Sequence, residues 1–389
     1  MFEWLIVGGG IQGCTLATYL LKSERTKVQH LAIIDPHDQP LFKWVQNTSI
    51  LEMPYLRSPS IHHLDVNPFS LEKFAKGKGR FFAHFTPPYD RPSLELFNEH
   101  CRYLMDETDL SSSWIQGRVT GLQRINKGWS VLLSNGEQIE SKKVVLAMGL
   151  SEHPMWPDWA KEIHLNGGHI HHVFDYPAPD FSGLARPIVV IGGGISAAHA
   201  SIRLSRLFPG EVTLLIRHSL RVHQFDSDPA WLGPKNMSPF RLIKDYNERR
   251  GVIQNARYRG SMPAELRTAL TAAQKDGKLS IYIDEVANAL VDQGKTTLQL
   301  RNYPDVTAGT VMLATGFHAK PPGIEWLKPL IENQGLRCAD CGYPIINPET
   351  LEWAPNLFVI GALAELEIGP VARNIAGARR GAERILKAR

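Results

Sequence analysis

The sequence predicts an α/β fold in three layers, with parallel sheets between helices and the same unit built twice. Two glycine loops and their settings carry that prediction. Gly8-Gly9-Gly10-Ile11-Gln12-Gly13 directly follows the apolar run 2–7, and Gly192-Gly193-Gly194-Ile195-Ser196-Ala197 directly follows the run 187–191. Each loop opens a helical pattern, and strand, glycine turn and helix in that order make a weak G-x-G-x-x-G match informative. Later apolar strands ending in small residues, 143–149 and 310–316, match the two units. The fold expected is two Rossmann-like dinucleotide-binding domains.

Taken in order, residues 1–35 read as strand, turn, helix and strand. The helix covers 12–22, with Leu16, Tyr19 and Leu20 at helical spacing. The second strand covers 28–34 and ends at Asp35, 22 residues beyond Gly13. An acid at about 20 residues is the usual holder of a ribose hydroxyl pair. Residues 36–100 are rich in proline and histidine, carry little periodicity, and read as loops and short helices laid over a site. Hairpin strands are expected at 119–124, 129–133 and 138–140. Residues 150–186 hold many Pro, His and Trp residues and form the crossing between domains. The second unit begins at 187–216, is interrupted by a polar, Gly- and Pro-punctuated stretch at 218–262, and closes with the strand 310–314. A short strand at 357–360, Gly361 and a helix at 371–387 end the chain. The first domain is therefore split, 1–155 plus 320–389, around an inserted second domain, 156–319.

Composition excludes several classes. The 389 residues are 43% hydrophobic and 21% charged, with a net charge of +4 and no long basic run. A nucleic-acid partner is not expected. No apolar stretch approaches the roughly 20 residues of a membrane helix, and the N-terminus enters a strand without a signal-peptide pattern. Cys14, Cys101, Cys338 and Cys341 do not form a secreted disulfide pattern, so a cytoplasmic location is expected. A homo-oligomer is left open.

The two units differ in the charge at the end of their second strand. Gly8, Gly10 and Gly13 let the backbone turn tightly and let a helix N-terminus meet a pyrophosphate. Asp35 accepts from a ribose diol and repels a 2′-phosphate, so the first loop fits FAD or NAD. In the second unit, behind Gly192, Gly194 and Ser196, the strand after the helix ends in Arg217, with His218 beside it and Arg221 nearby. A guanidinium grips a 2′-phosphate by charge-assisted bonds, so the second loop predicts NADPH over NADH.

Gly168, His172 and the pair Tyr176-Pro177, spaced by three residues each, resemble the linker fingerprint of class B flavoprotein monooxygenases. The ending Leu313-Ala314-Thr315-Gly316-Phe317 is similar to that of lysine and ornithine N-hydroxylases. So is the run from Met53 to Pro59 followed by the run from Arg91 to Phe97. The resemblance implies FAD on the first loop, NADPH on the second, dioxygen as co-substrate, and a small nucleophilic amine or sulfur compound as substrate. It implies that chain is laid over the flavin at Met53, Arg57, His62 and His63, either histidine serving as general base or flavin contact. It implies that Gly149, His172, Thr315, Gly316, Gly361 and Gly369 border the cofactors, and that Arg373 and Asn374 at a helix start hold charge on the reduced flavin. Asp226, Trp231, Lys235 and Asn236 are candidate contacts for substrate or nicotinamide. The chain departs from the pattern at Asn166, at Met148, and at Gly361-Ala362, where many flavoproteins have Gly-Asp near the ribityl chain. The histidines at 169, 171 and 172 do not all share one strand face, since neighbours 171 and 172 point to opposite sides, so no metal is expected. Cys338-Ala339-Asp340-Cys341 supports a rival reading, an NADPH-dependent disulfide reductase. A flavin-binding redox sensor without turnover is the third.

Overall fold

The structure is a computed structural model and describes residues 1–77, 79 and 83–388. Two parallel sheets organise it. In the first, strand Phe2–Val7 lies at the centre, paired in parallel with Leu31–Asp35 on one side and Gln138–Leu146 on the other. Trp114–Gln116 extends one flank, and Leu357–Val359 the other. Leu5, Ile6, Ile33, Val144 and Val145 are wholly buried, as a sheet covered on both faces requires. In the second sheet the order is Leu279–Ile283, Val212–Ile216, Ile188–Ile191, Thr310–Leu313, Ile170–His172, all parallel. Ile188 and Val190 pack into one core while Val189, between them, packs into another. That alternation makes the expected three layers.

The glycine loops join strand to helix in the same way twice. Gly8 adopts φ +106°, and a Cβ there would come within 2.9 Å of the Ala147 carbonyl oxygen. Gly192 adopts φ +144°, and a Cβ there would come within 2.5 Å of the Ala314 carbonyl oxygen. Only glycine permits both the conformation and the approach. Helices Ile11–Lys22 and Ile195–Leu207 start directly behind.

Three elements differ from expectation. The hairpin strand at 138–140 and the strand at 143–149 are one strand, Gln138–Leu146, which pairs antiparallel with Gly128–Leu133 at its start and parallel with Phe2–Val7 beyond it. The closing helix begins at Ile375, because Pro370–Arg373 forms a separate 3-10 turn after Gly369 at φ +84°. The stretch 218–262 holds helices Pro234–Leu242 and Tyr246–Ala256. Its Trp231, Met237, Phe240 and Ile253 pack into the core of the first sheet, and Ile50 and Leu51 pack into a core of the second. The chain therefore crosses between the two sheets more often than the pattern implies. Among the described residues no helix is long and apolar enough to cross a membrane.

Candidate functional site

A cavity of about 530 Å³ opens at the first glycine loop. The loop is held from below by Gly13, where a Cβ would lie 1.9 Å from the Gly8 carbonyl oxygen, so the helix packs against the strand end. Asp35, at the end of its strand, accepts from the Gly9 N–H at 2.7 Å through Oδ2 and from the His37 N–H at 3.0 Å through Oδ1. These bonds orient the carboxylate at the cavity wall. Gly8, Gly10, Asp35, Met53, Gly149, Ser196 and Arg373 all border this space. Ser196 belongs to the second loop, so both loops reach one cavity. Phe174, Phe317 and Trp326 supply apolar wall, with the Phe174 and Phe317 rings stacked at 5.4 Å. A second space of about 780 Å³ adjoins beyond Asp35 and shares His37, Phe42, Lys43 and Arg118 with the first. His37 stacks on Phe42 there at 4.5 Å.

The residues present suit a flavin dinucleotide. Glycine amides and a helix N-terminus face where a pyrophosphate fits, an oriented carboxylate lies beyond them, and Arg373 closes the other end. Glu365, wholly buried, pairs with Arg250, Arg257 and Arg373. Tyr343 adds its hydroxyl oxygen, 3.0 Å from Arg373 Nη2. Three guanidinium groups face one carboxylate, so the cluster is positive toward the cavity. Burial, then the neighbouring Arg373 and Arg250, push Arg257 down to about 9, and burial lowers Arg373 as well. A negative group in the cavity relieves the mutual repulsion of these guanidinium groups.

The second loop lies outside the cavity lining except at Ser196. Arg217 is exposed at the end of Val212–Ile216, beside the loop. The His218 ring covers Gly193 and Gly260, leaving room for no Cβ at Gly260. Thr315 donates to the Met155 carbonyl and Gly316 accepts from the Met155 N–H at 2.8 Å, so this pair ties the strand end to the crossing segment. His172 is buried. Its Nδ1 accepts from the Phe174 N–H at 3.2 Å, and its ring touches Phe174 and Phe317. Burial pushes it down to about 4, the neutral state an accepting Nδ1 needs. It supports the cavity wall from behind. Gly361 abuts Gln12, and Gly369 packs against Met237.

The structure gives the four residues expected at the chemistry the following surroundings. His63 is buried, its Nε2 3.1 Å from the Pro68 carbonyl oxygen and its ring edge-on to His100. His62 is pushed down to about 4 by burial and by Arg379 and Arg380. Arg57 donates to the carbonyls of His223, Gln224 and Phe225 and to Ser261, which occupies its guanidinium. Asn374 precedes the last helix and donates to Asp226 Oδ1 at 3.3 Å. None of the four borders the cavity. Trp231 is core, packed edge-on to Phe240. Cys338 and Cys341 lie around a turn closed by the Cys338–Pro344 bridge, away from the cavity lining. Sequence reasoning missed Gln12, Phe317 and Trp326. The first two sit inside or beside recognised motifs, while Trp326 has no local signal.

The family model for pyridine nucleotide-disulphide oxidoreductases matches residues 2–382, and the chain belongs to that family. Its two-sheet architecture recurs in solved structures. One is DfoA, the desferrioxamine-pathway cadaverine monooxygenase of Erwinia amylovora bound to FAD: TM-score 0.78, 17% identity, covering 100% of this chain and 94% of that one. Another is the Kutzneria sp. 744 ornithine N-hydroxylase with reduced FAD, NADP+ and L-ornithine: TM-score 0.79, 15% identity, covering 100% and 98%. A third is the ornithine hydroxylase PvdA of Pseudomonas aeruginosa: TM-score 0.77, 19% identity, covering 99% and 97%. At these identities the likeness is one of fold. No curated protein matches by sequence.

Proposed function

We propose that this oxidoreductase is an FAD- and NADPH-dependent monooxygenase that transfers oxygen to a small nucleophilic amine. One observation carries the reading: two glycine loops of the same geometry, one followed by Asp35 and the other by Arg217, reach a single cavity through Gly8–Gly10 and Ser196. Opposite charges at equivalent strand ends fit two different dinucleotides, and a shared cavity brings their reactive ends together. The fold shared with structures named for cadaverine and ornithine favours an amine over a sulfur centre.

FAD, when bound, supplies two-electron chemistry and reaction with dioxygen. The chain's own residues do the rest. The first loop and its helix N-terminus bind the pyrophosphate, and Asp35 holds the ribose. Arg217 grips the 2′-phosphate of NADPH. Phe174, Phe317 and Met53 exclude water from the cavity, and Arg373, backed by Arg250 and Arg257, stabilises negative charge that develops there. The amine must enter unprotonated, since only its free electron pair is nucleophilic.

The test is direct. Purified protein is yellow, NADPH bleaches it under nitrogen, and air restores the colour. Diamines and basic amino acids then stimulate NADPH and oxygen consumption with formation of a hydroxylamine. NADPH oxidation that yields no hydroxylated product with any amine rejects the reading. If Cys338→Ser also abolishes a thiol-dependent turnover, the enzyme is a disulfide reductase.

A further inference from the structure

We infer that Gln12 accepts a hydrogen bond from a ribityl hydroxyl of the bound flavin dinucleotide, taking the place of an acidic acceptor that this chain lacks. The inference rests on the FAD reading above and deepens it. Gln12 is the second residue of helix Ile11–Lys22, is only 8% exposed, and borders the cavity. Its Nε2 donates to the carbonyl oxygens of Ala372 and Asn374, each at 3.2 Å. Two carbonyls can be met only by the NH2 group, so the amide has one orientation. Its Oε1 is consequently turned away from them, and it is buried with no hydrogen-bond partner. A buried acceptor without a donor is a defect unless a ligand completes it.

The neighbours identify that ligand's chemistry. Gly361 lies against Gln12, and a Cβ at Gly361 would come within 2.8 Å of Cγ and 3.3 Å of Oε1. The residue after it is Ala362, buried and ending in a methyl, where a Gly-Asp pair would present a carboxylate. The acceptor missing from that strand end is therefore supplied by the helix facing it. Oε1 only accepts. A phosphate oxygen carries no proton to give it, so the pyrophosphate belongs on the loop N–H groups. The part of the dinucleotide that follows the pyrophosphate is a chain of hydroxyls, and a hydroxyl can donate. A neutral amide also adds no negative charge beside the phosphates.

Apoprotein titrated with FAD, and with FAD analogues each lacking one ribityl hydroxyl, reads this contact through quenching of flavin fluorescence. The wild-type chain binds one of the analogues roughly tenfold more weakly than FAD. Gln12→Met binds FAD roughly tenfold more weakly than wild type and no longer distinguishes that analogue. Gln12→Glu keeps an acceptor but loses the donor to Ala372 and Asn374, so it still distinguishes them. Thermal melts of the apoproteins report loss of that anchoring separately. Wild-type binding of FAD without discrimination among the analogues overturns this inference alone, as does discrimination that survives in Gln12→Met. A wild-type chain that binds no flavin overturns the FAD reading along with it.

Discussion

Arg217 and Asp35 occupy equivalent strand ends and carry opposite charges, and the proposed nucleotide choice rests on that difference. Arg217→Ala removes charge-assisted bonds that contribute about 1.5–3 kcal/mol, and so raises the KM for NADPH roughly 10- to 100-fold while leaving that for NADH nearly unchanged. Steady-state kinetics with both nucleotides check it, and an equal change in the two rejects a 2′-phosphate role. Glu365 presents the opposite case, one buried carboxylate among three guanidinium groups. Glu365→Gln leaves those cations without their counter-charge, and breaking such a buried pair costs about 3–5 kcal/mol. Urea unfolding of the variant should show a loss of that size. A variant as stable as wild type would mean the cations are relieved from another side.

At the scale of elements, the segment around Met53 to Arg57 is a strap across the two sheets. Met53 borders the cavity, while four residues on Arg57 reaches the carbonyls of 223–225. Arg203 and Arg206 add ion pairs to Glu52, and Arg203 also donates to the Ile50 carbonyl at 2.6 Å. A guanidinium suits this task because its planar fork satisfies several carbonyls at once. Arg57→Met leaves those acceptors without their donor, with an expected loss of about 2–4 kcal/mol. Because the strap also carries Met53, the variant should release flavin at a lower urea concentration than wild type. Unchanged flavin release together with unchanged stability would show that the strap is held by Glu52 alone.

For the whole molecule, buried histidines couple stability to pH. His63, His172 and His199 are pushed down to about 4, and His100 to about 3, in each case mainly by burial. Each folded value lies below the ordinary one near 6.5. Above pH 6.5 both states are neutral and no stability is lost. As pH falls from 6.5 toward 4, the unfolded chain takes up protons that the folded one refuses, at about 1.4 kcal/mol per pH unit for each histidine. Urea unfolding from neutral pH down to about pH 5 should show stability falling with a slope of several protons, and His100→Gln should lower that slope by one. A stability independent of pH in this window would contradict the buried neutral state.

Much of the fold is legible in the sequence because its rules are local. A strand buried on both faces reads as an unbroken apolar run, and a glycine that must accept φ +106° beside a carbonyl can be nothing else. The charges proposed to choose a nucleotide sit at fixed distances from those glycines. Other features depend on partners far away in sequence. Nothing in residues 36–100 marks Arg57 as a strap, since the carbonyls it meets lie more than 160 residues later. The histidine at 63 reads as a loop residue, and only the structure shows it buried with Pro68 and His100 as partners. The free oxygen of Gln12 exists only because Ala372 and Asn374 come to its nitrogen from the other end of the chain. Periodicity and backbone sterics, which act over a few residues, settled the two nucleotide units in the sequence itself. Hydrogen-bond satisfaction and burial, which act across the whole chain, left the identity of the cavity residues to the tertiary structure.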